Sequence, residues 1–91
     1  MHVPTRFQLS QNYPNPFNPM TTISYALPQH THVRMSIYNI LGENVYVLVD
    51  ELQQAGRYQI QWRADDMPSG VYFYQLHTQE FNEMRKMILL Q

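Results

Sequence analysis

A β-sandwich of about seven short strands is the fold this sequence predicts, and three observations carry that expectation. Apolar residues recur with period two along most of the chain. Clusters of Gly, Pro, Asn and Asp interrupt those runs at intervals of about 8–12 residues, the spacing of sandwich strands. No stretch shows a sustained helical period, and there is neither an internal repeat nor a low-complexity tract.

A short first strand is expected from Phe7 to Ser10. From Thr22 the run Thr-Ile-Ser-Tyr-Ala-Leu puts Ile23, Tyr25 and Leu27 on one face, and Pro28 ends it. Val33, Met35 and Ile37 then alternate with Arg34, Ser36 and Tyr38, and Val45, Val47 and Val49 alternate with Tyr46 and Leu48. The intervening Asn39-Ile40-Leu41-Gly42, with Gly42 suited to positive φ, joins the two as a hairpin. Asp50 to Ala55 is a polar connection whose Glu51–Ala55 part has helical propensity enough for one turn, closed by Gly56.

Tyr58, Ile60 and Trp62 share one face, opposite Arg57, Gln59, Gln61 and Arg63, which is the pattern of a half-buried strand. Asp65 to Gly70 is dense turn chemistry. Val71 to Leu76 is apolar on both sides except at Gln75, which fits a central strand covered on both faces. A turn near Gln79-Glu80 leads to the last strand, in which Met84, Lys86, Ile88 and Leu90 oppose Arg85, Met87 and Leu89.

Tyr13-Pro14-Asn15-Pro16-Phe17-Asn18-Pro19 stands apart. Its prolines fix φ and remove backbone donors, so it is no central strand, and they push Tyr13, Asn15 and Asn18 toward extended backbone. The expected result is a rigid loop pinned to the sandwich by Tyr13 and Phe17. The alternative is a proline-rich ligand for an aromatic groove.

Composition removes several function classes. The 91 residues make one small domain, with 44% hydrophobic and 13% aromatic residues but only 14% charged, against about 25% in an average globular protein. Six Lys+Arg against seven Asp+Glu leave a net charge of -1, so the basic footprint of a nucleic-acid binder is missing. Three glycines do not make a phosphate-cradling loop. Zero cysteines exclude disulfides, thiolate metal sites and cysteine nucleophiles. No apolar run approaches the ~18 residues of a membrane-spanning helix. The first six residues lack the apolar segment of a signal peptide, so an exported protein would carry this chain as a piece of something longer.

Candidate chemistry is sparse. His30 and His32 have i, i+2 spacing, but a metal site needs a third ligand, and nothing brings His2 or His77 close. Asp65-Asp66 lacks the alternating oxygen ligands of a calcium loop and reads as a turn, as does Asp50-Glu51. Ser69-Gly70 lacks the preceding glycine of a nucleophile elbow. Trp62 with Tyr58 would make a sugar-stacking platform if exposed, yet their face shared with Ile60 points to the core. The terminal Arg85-Lys86-Met87-Ile88-Leu89-Leu90-Gln91 is an apolar edge-strand candidate, open in principle to strand addition, with Lys86 as a charge against indiscriminate pairing.

Five segments in order bring these signals together: Gln11 to Pro19, Val33 to Gly42, Gly56-Arg57-Tyr58 with Trp62, Pro68 to Leu76, and Lys86 to Leu90. In that register, from about Leu9 to Gln91, the chain strongly resembles the type A C-terminal sorting domain of the type IX secretion system. The resemblance implies an immunoglobulin-like sandwich of about seven antiparallel strands at the end of a larger cargo protein of the Bacteroidetes group or its relatives. It implies a non-catalytic address label with no cofactor, metal or small-molecule substrate. The cargo would cross the periplasm, be passed on by the outer-membrane translocon, and have the domain removed by a sortase-like protease before display at the surface or release. Residues 1–8 would be a linker remnant and the start of the first strand, and 9–91 the sorting domain.

Carried over by position, Asn15, Pro16, Phe17, Asn18, Pro19, Gly42, Gly56, Tyr58, Trp62, Gly70, Tyr72 and Tyr74 have architectural roles. Arg85, Lys86, Met87, Ile88, Leu89, Leu90 and Gln91 form the partner-recognition segment. Met20 replaces a usual Thr, and Gln91 stands where Lys or Arg is common, which puts a terminal positive charge in question as a docking contact. The competing reading is an accessory sandwich module that binds carbohydrate or packs against a catalytic neighbour. A third is an adhesive or oligomerising module.

Overall fold

A computed structural model describes residues 3–91; Met1 and His2, the latter weighed above as a metal ligand, lie outside the described residues. The chain forms β1 (Gln8–Leu9), β2 (Met20–Leu27), β3 (Thr31–Tyr38), β4 (Asn44–Gln53), β5 (Gly56–Arg63), β6 (Gly70–His77) and β7 (Asn82–Leu89). Two sheets result, in the orders β1-β2-β5 and β4-β3-β6-β7, with every strand pair antiparallel. This is the immunoglobulin-like arrangement with the fourth strand carried on the second sheet. A further mark of that class is Tyr72 near the start of β6, whose hydroxyl donates to the Pro68 carbonyl at 2.7 Å across the corner.

The alternation read from the sequence sets the core. Ile23, Tyr25 and Leu27 from β2 and Trp62 from β5 face Val33, Met35, Ile37, Tyr72, Tyr74, Leu76, Met87 and Leu89 from the other sheet. Trp62 is 4% exposed and sits between two rings, Phe17 at 5.8 Å and Tyr72 at 5.9 Å in edge contact. Aromatic volume of this kind fills a core too small to rely on aliphatic side chains. Among the described residues every buried side-chain nitrogen or oxygen has a hydrogen-bond partner. The hairpin turn before β4 is held by Asn39, whose Oδ1 accepts from the backbone of Leu41 (2.9 Å) and Glu43 (3.0 Å). Gly42 within it takes φ +83°, which a side chain would strain.

Four local expectations need correction. The first concerns Asp50–Ala55, which is neither a connection nor a helical turn: β4 continues through Gln53, because Thr31 and Val33 of β3 offer it partners at Gln53 and Glu51. Cross-strand pairing overrides the weak helical preference. Second, Val45, Val47 and Val49 do not share a face. Register shifts opposite Met35/Ser36 and Ile37/Tyr38 insert extra residues, so Val45 and Leu48 turn toward the core while Tyr46 and Val47 are exposed.

The third correction is to β6. It is central, between β3 and β7, yet only Tyr72, Tyr74 and Leu76 are buried; Val71, Phe73 and Gln75 lie half-buried on the outer face. Gln75 instead accepts from the Tyr38 hydroxyl at 3.0 Å and donates to Asn82 Oδ1 at 2.6 Å. The fourth is Tyr13, whose side chain is 80% exposed, so its ring does not pin the loop. Phe17 alone, 2% exposed, anchors the proline-rich loop by its ring.

Candidate functional site

The terminal segment singled out in the sequence forms β7 and its extension. Its alternation divides it sharply. Met87 and Leu89 are fully buried, whereas Lys86 and Leu90 are exposed and Ile88 half-buried on the outer face of the four-stranded sheet. Register places Lys86 opposite Phe73 and Ile88 opposite Val71, so an apolar band with one ammonium faces outward. Arg85 points to the sandwich rim, where its Nε donates to the Leu9 carbonyl at 2.7 Å and a guanidinium nitrogen pairs with Glu83 at 3.0 Å.

β7 is an edge strand by sheet order, but its edge is closed from Lys86 to Leu90. The Phe17 N–H donates to the Ile88 carbonyl at 2.9 Å, and the Leu90 N–H donates to the Phe17 carbonyl at 3.0 Å. Asn15 Oδ1 accepts from the Ile88 N–H at 2.9 Å, and Gln11 Nε2 donates to the Lys86 carbonyl at 2.8 Å. Strand addition on this stretch would require displacing the proline-rich segment. Asn15 and Phe17, read from the sequence as architectural, therefore act directly on the candidate recognition strand.

That segment is itself fastened at several points. Tyr13 exchanges two backbone hydrogen bonds with Thr22, both 2.9 Å, and Phe17 bridges in parallel to Leu89. The loop thus crosses from one sheet to the other and closes one side of the sandwich. Asn12, 2% exposed, organises the crossing: Nδ2 donates to the Pro14 carbonyl (3.1 Å) and Thr21 Oγ1 (2.9 Å), and its N–H donates to the Tyr74 hydroxyl (2.8 Å). Tyr74 in turn donates to the Ser10 carbonyl at 2.6 Å. Burial pushes the Tyr74 phenol up to about 12, and the same cause raises Tyr25 to about 12 and lifts Tyr72.

Of the remaining architectural positions, Pro16 and Asn18 are exposed, and Pro19 is half-buried with its carbonyl accepting from Ala64 N–H at 2.9 Å. Gly56 and Gly70 open β5 and β6. Tyr58 stacks on Tyr25 at 5.2 Å and donates to the Gln54 carbonyl at 2.6 Å. Gln91 has a role that the sequence did not disclose. Its amide Nε2 donates to the carbonyls of Ala64 (2.8 Å), Asp65 (3.3 Å) and Met67, and its N–H donates to Ser69 Oγ at 2.8 Å. The last residue ties β7 to the β5–β6 turn.

Gln11, Asn12 and Thr21 are the residues missed from the sequence. A signal was available for Asn12, an amide just before a segment whose prolines lack donors, and its Nδ2 does donate to the Pro14 carbonyl; Gln11, which reaches the distant Lys86 carbonyl, and Thr21 carried none. Elsewhere, His32 Nε2 pairs with Asp50 at 2.9 Å on the outer face and His30 lies before β3 starts; among the described residues no three metal-binding side chains converge. With Trp62 buried and Tyr58 stacked against Tyr25, no aromatic platform for sugar is built from this pair.

A family model described as a secretion system C-terminal sorting domain matches residues 11–90. Among solved structures, PorZ is similar at a TM-score of 0.61, with 20% identity over 93% of this chain. It is described as an essential bacterial surface component of the type-IX secretion system of human oral-microbiomic Porphyromonas gingivalis. The chain spans 11% of that protein's length, and at such identity the likeness is one of fold. No curated protein matches the chain.

Proposed function

The chain belongs to the family of secretion system C-terminal sorting domains, and we propose that it is read as a folded module through the outward face of its last strand. The domain is a sorting signal of the type IX secretion system, and proteins that carry such signals are exported to the cell surface or released. The observation that carries this function is the family match over residues 11–90. A signal works by being bound, so the chain needs recognition chemistry and no catalytic centre.

The reading surface consists of Lys86, Ile88 and Leu90, flanked by Arg85 and Gln91. Met87 and Leu89 contribute from inside, as buried anchors that hold the strand in register. Closure of the β7 edge by Gln11, Asn15 and Phe17 supports face recognition over edge pairing on this stretch. The reader is the outer-membrane translocon. Residues 1–8, a linker remnant that runs into the start of β1 at Gln8, join residues 9–91 to an upstream cargo that passes through the periplasm, and a sortase-like protease acts ahead of β1 after translocation. With a net charge of -1, binding depends on shape and apolar contact more than on electrostatic steering.

Lys86→Ala and Leu90→Ser test this surface, since both side chains are exposed and neither fills the core. Each variant is expected to melt within a few degrees of the parent and to export a fused reporter several-fold less well. Normal export by both, with folding intact, would remove the face from the reading. Truncation of Met87 to Gln91 is less informative, because it deletes two buried core residues.

A further inference from the structure

The two sides of this sandwich are finished differently. On the β1/β7 side the proline-rich crossing closes the gap between sheets. On the other side β5 pairs with β2 alone and β4 with β3 alone, so among the described residues both edges lack a further strand. The fourth strand, by joining β3, has left empty the place beside β5 that a strand occupies in the common immunoglobulin arrangement.

The space along these edges is a groove, with clefts of about 300 Å³ and 230 Å³. Its apolar lining comes from Tyr58 and Ile60 of β5, Val45 and Leu48 of β4, and Met67, all packed on the core but still partly exposed. β5 is a regular edge, with unbroken one-to-one register to β2 from Gly56 to Arg63. Ser24 and Thr22 of β2 serve the β1 side, as Ser10 N–H to Ser24 carbonyl and the Tyr13–Thr22 pair show. By alternation, the N–H and C=O groups of Arg57, Gln59, Gln61 and Arg63 therefore point to the open edge.

Charge completes the description of what fits. Asp50 and Glu51 line one cleft, and Asp65 and Asp66 line the other with Arg63 as the sole formal cation, so four of the chain's seven acids gather here. Asp50 is engaged by His32 and Arg34, and Asp65 by Arg63. Glu51 and Asp66, one in each cleft, make no ion pair among the described residues.

We propose that this groove receives an extended segment of another protein, which adds to β5 as a strand. Its inward side chains alternate as apolar residues over Ile60 and Leu48, with a Lys or Arg at each end of that face for Glu51 and Asp66. The backbone of Arg57 to Arg63 supplies affinity and the groove supplies side-chain selection, the usual division in strand addition. This surface lies on the β5/β4 side of the sandwich, away from β7, and goes beyond the sorting function; its test needs no secretion machinery.

The probe is the synthetic peptide Lys-Thr-Val-Thr-Ile-Thr-Val-Thr-Lys, with Val, Ile and both Lys on one face, titrated into the full chain and followed by amide NMR. Saturable binding is expected, with shifts and slowed exchange at amides of Arg57, Gln59, Gln61 and Arg63. A peptide with Glu at both ends should bind about tenfold more weakly, and a chain carrying Glu51→Lys with Asp66→Lys should reverse that preference. Gln59→Pro removes an outward N–H without breaking a β2 bond, and should weaken binding by about tenfold or more while the melting temperature stays within a few degrees. The charge reversal keeps the test decisive if that proline disturbs folding. Absence of saturation at millimolar peptide, equal binding of both peptides, or shifts confined to β7 would overturn the proposal. So would a peptide-free chain that dimerises through β5 in sedimentation, which would make the occupant a second copy.

Discussion

Tyr74 sits in β6 with its hydroxyl between two backbone groups of the N-terminal crossing, the Ser10 carbonyl and the Asn12 N–H. Tyr74→Phe keeps the ring and removes both partners, so two buried backbone groups lose a bond. We expect a loss of roughly 1–3 kcal/mol, read as a lower urea midpoint with unchanged slope. The same phenol responds to alkali. Its pKa is about 12 folded against 10.0 for the free group, as is that of Tyr25, so the folded state holds protons that the unfolded chain has released. The contribution of these phenols to stability should therefore be fully present below pH 10 and fall as pH rises from 10 through 12. The Tyr74→Phe variant should show a shallower fall; an identical slope would contradict the assignment to Tyr74. At the terminus, Gln91→Ala should cost about 1 kcal/mol and speed amide exchange in the β5–β6 turn, since its side chain ties three carbonyls there.

Strands were legible where one partner face decided everything. Ile23, Tyr25 and Leu27, or Tyr58, Ile60 and Trp62, alternate because a single buried face selects every second residue. β4 was misread for the same reason in reverse: its register shifts are set by β3 across the hairpin, and a local period of valines does not encode them. The candidate recognition strand was legible as an apolar terminal strand, and its split into buried Met87 and Leu89 against outward Lys86 and Leu90 followed from alternation. Its edge closure was not legible. The partners Gln11, Asn15 and Phe17 are about seventy residues away in sequence, and only the fold brings them to Lys86, Ile88 and Leu90. Asn15→Ala tests the closure directly. It should accelerate exchange of the Ile88 amide while Leu90, held by the Phe17 carbonyl, stays protected. Phe17→Ala removes a buried ring against Trp62 and should cost roughly 3–5 kcal/mol by thermal or chemical unfolding.

The whole molecule is flattened, 39 × 25 × 16 Å, and joined end to end by its own chain: the N-terminal crossing and the C-terminal strand are one hydrogen-bonded unit. Without cysteine it reaches that state by packing and hydrogen bonds, with aromatic residues from both sheets and the loop meeting at Trp62. If the outward face of β7 is what the machinery reads, as proposed, the sorting signal is a property of the fold, since the strand carrying Lys86 is positioned by residues near the other terminus. The measurement that tests this most directly is export of a periplasmic reporter fused ahead of residues 1–91, in a host with a type IX system, beside the Phe17→Ala form of the same fusion. The parent fusion should appear at the cell surface or in the medium, while the Phe17→Ala fusion, with all seven C-terminal residues intact, should be retained. A reporter that stays in the periplasm behind a folded parent domain, or equal export of the Phe17→Ala fusion when its domain is measured to be unfolded, would contradict the account.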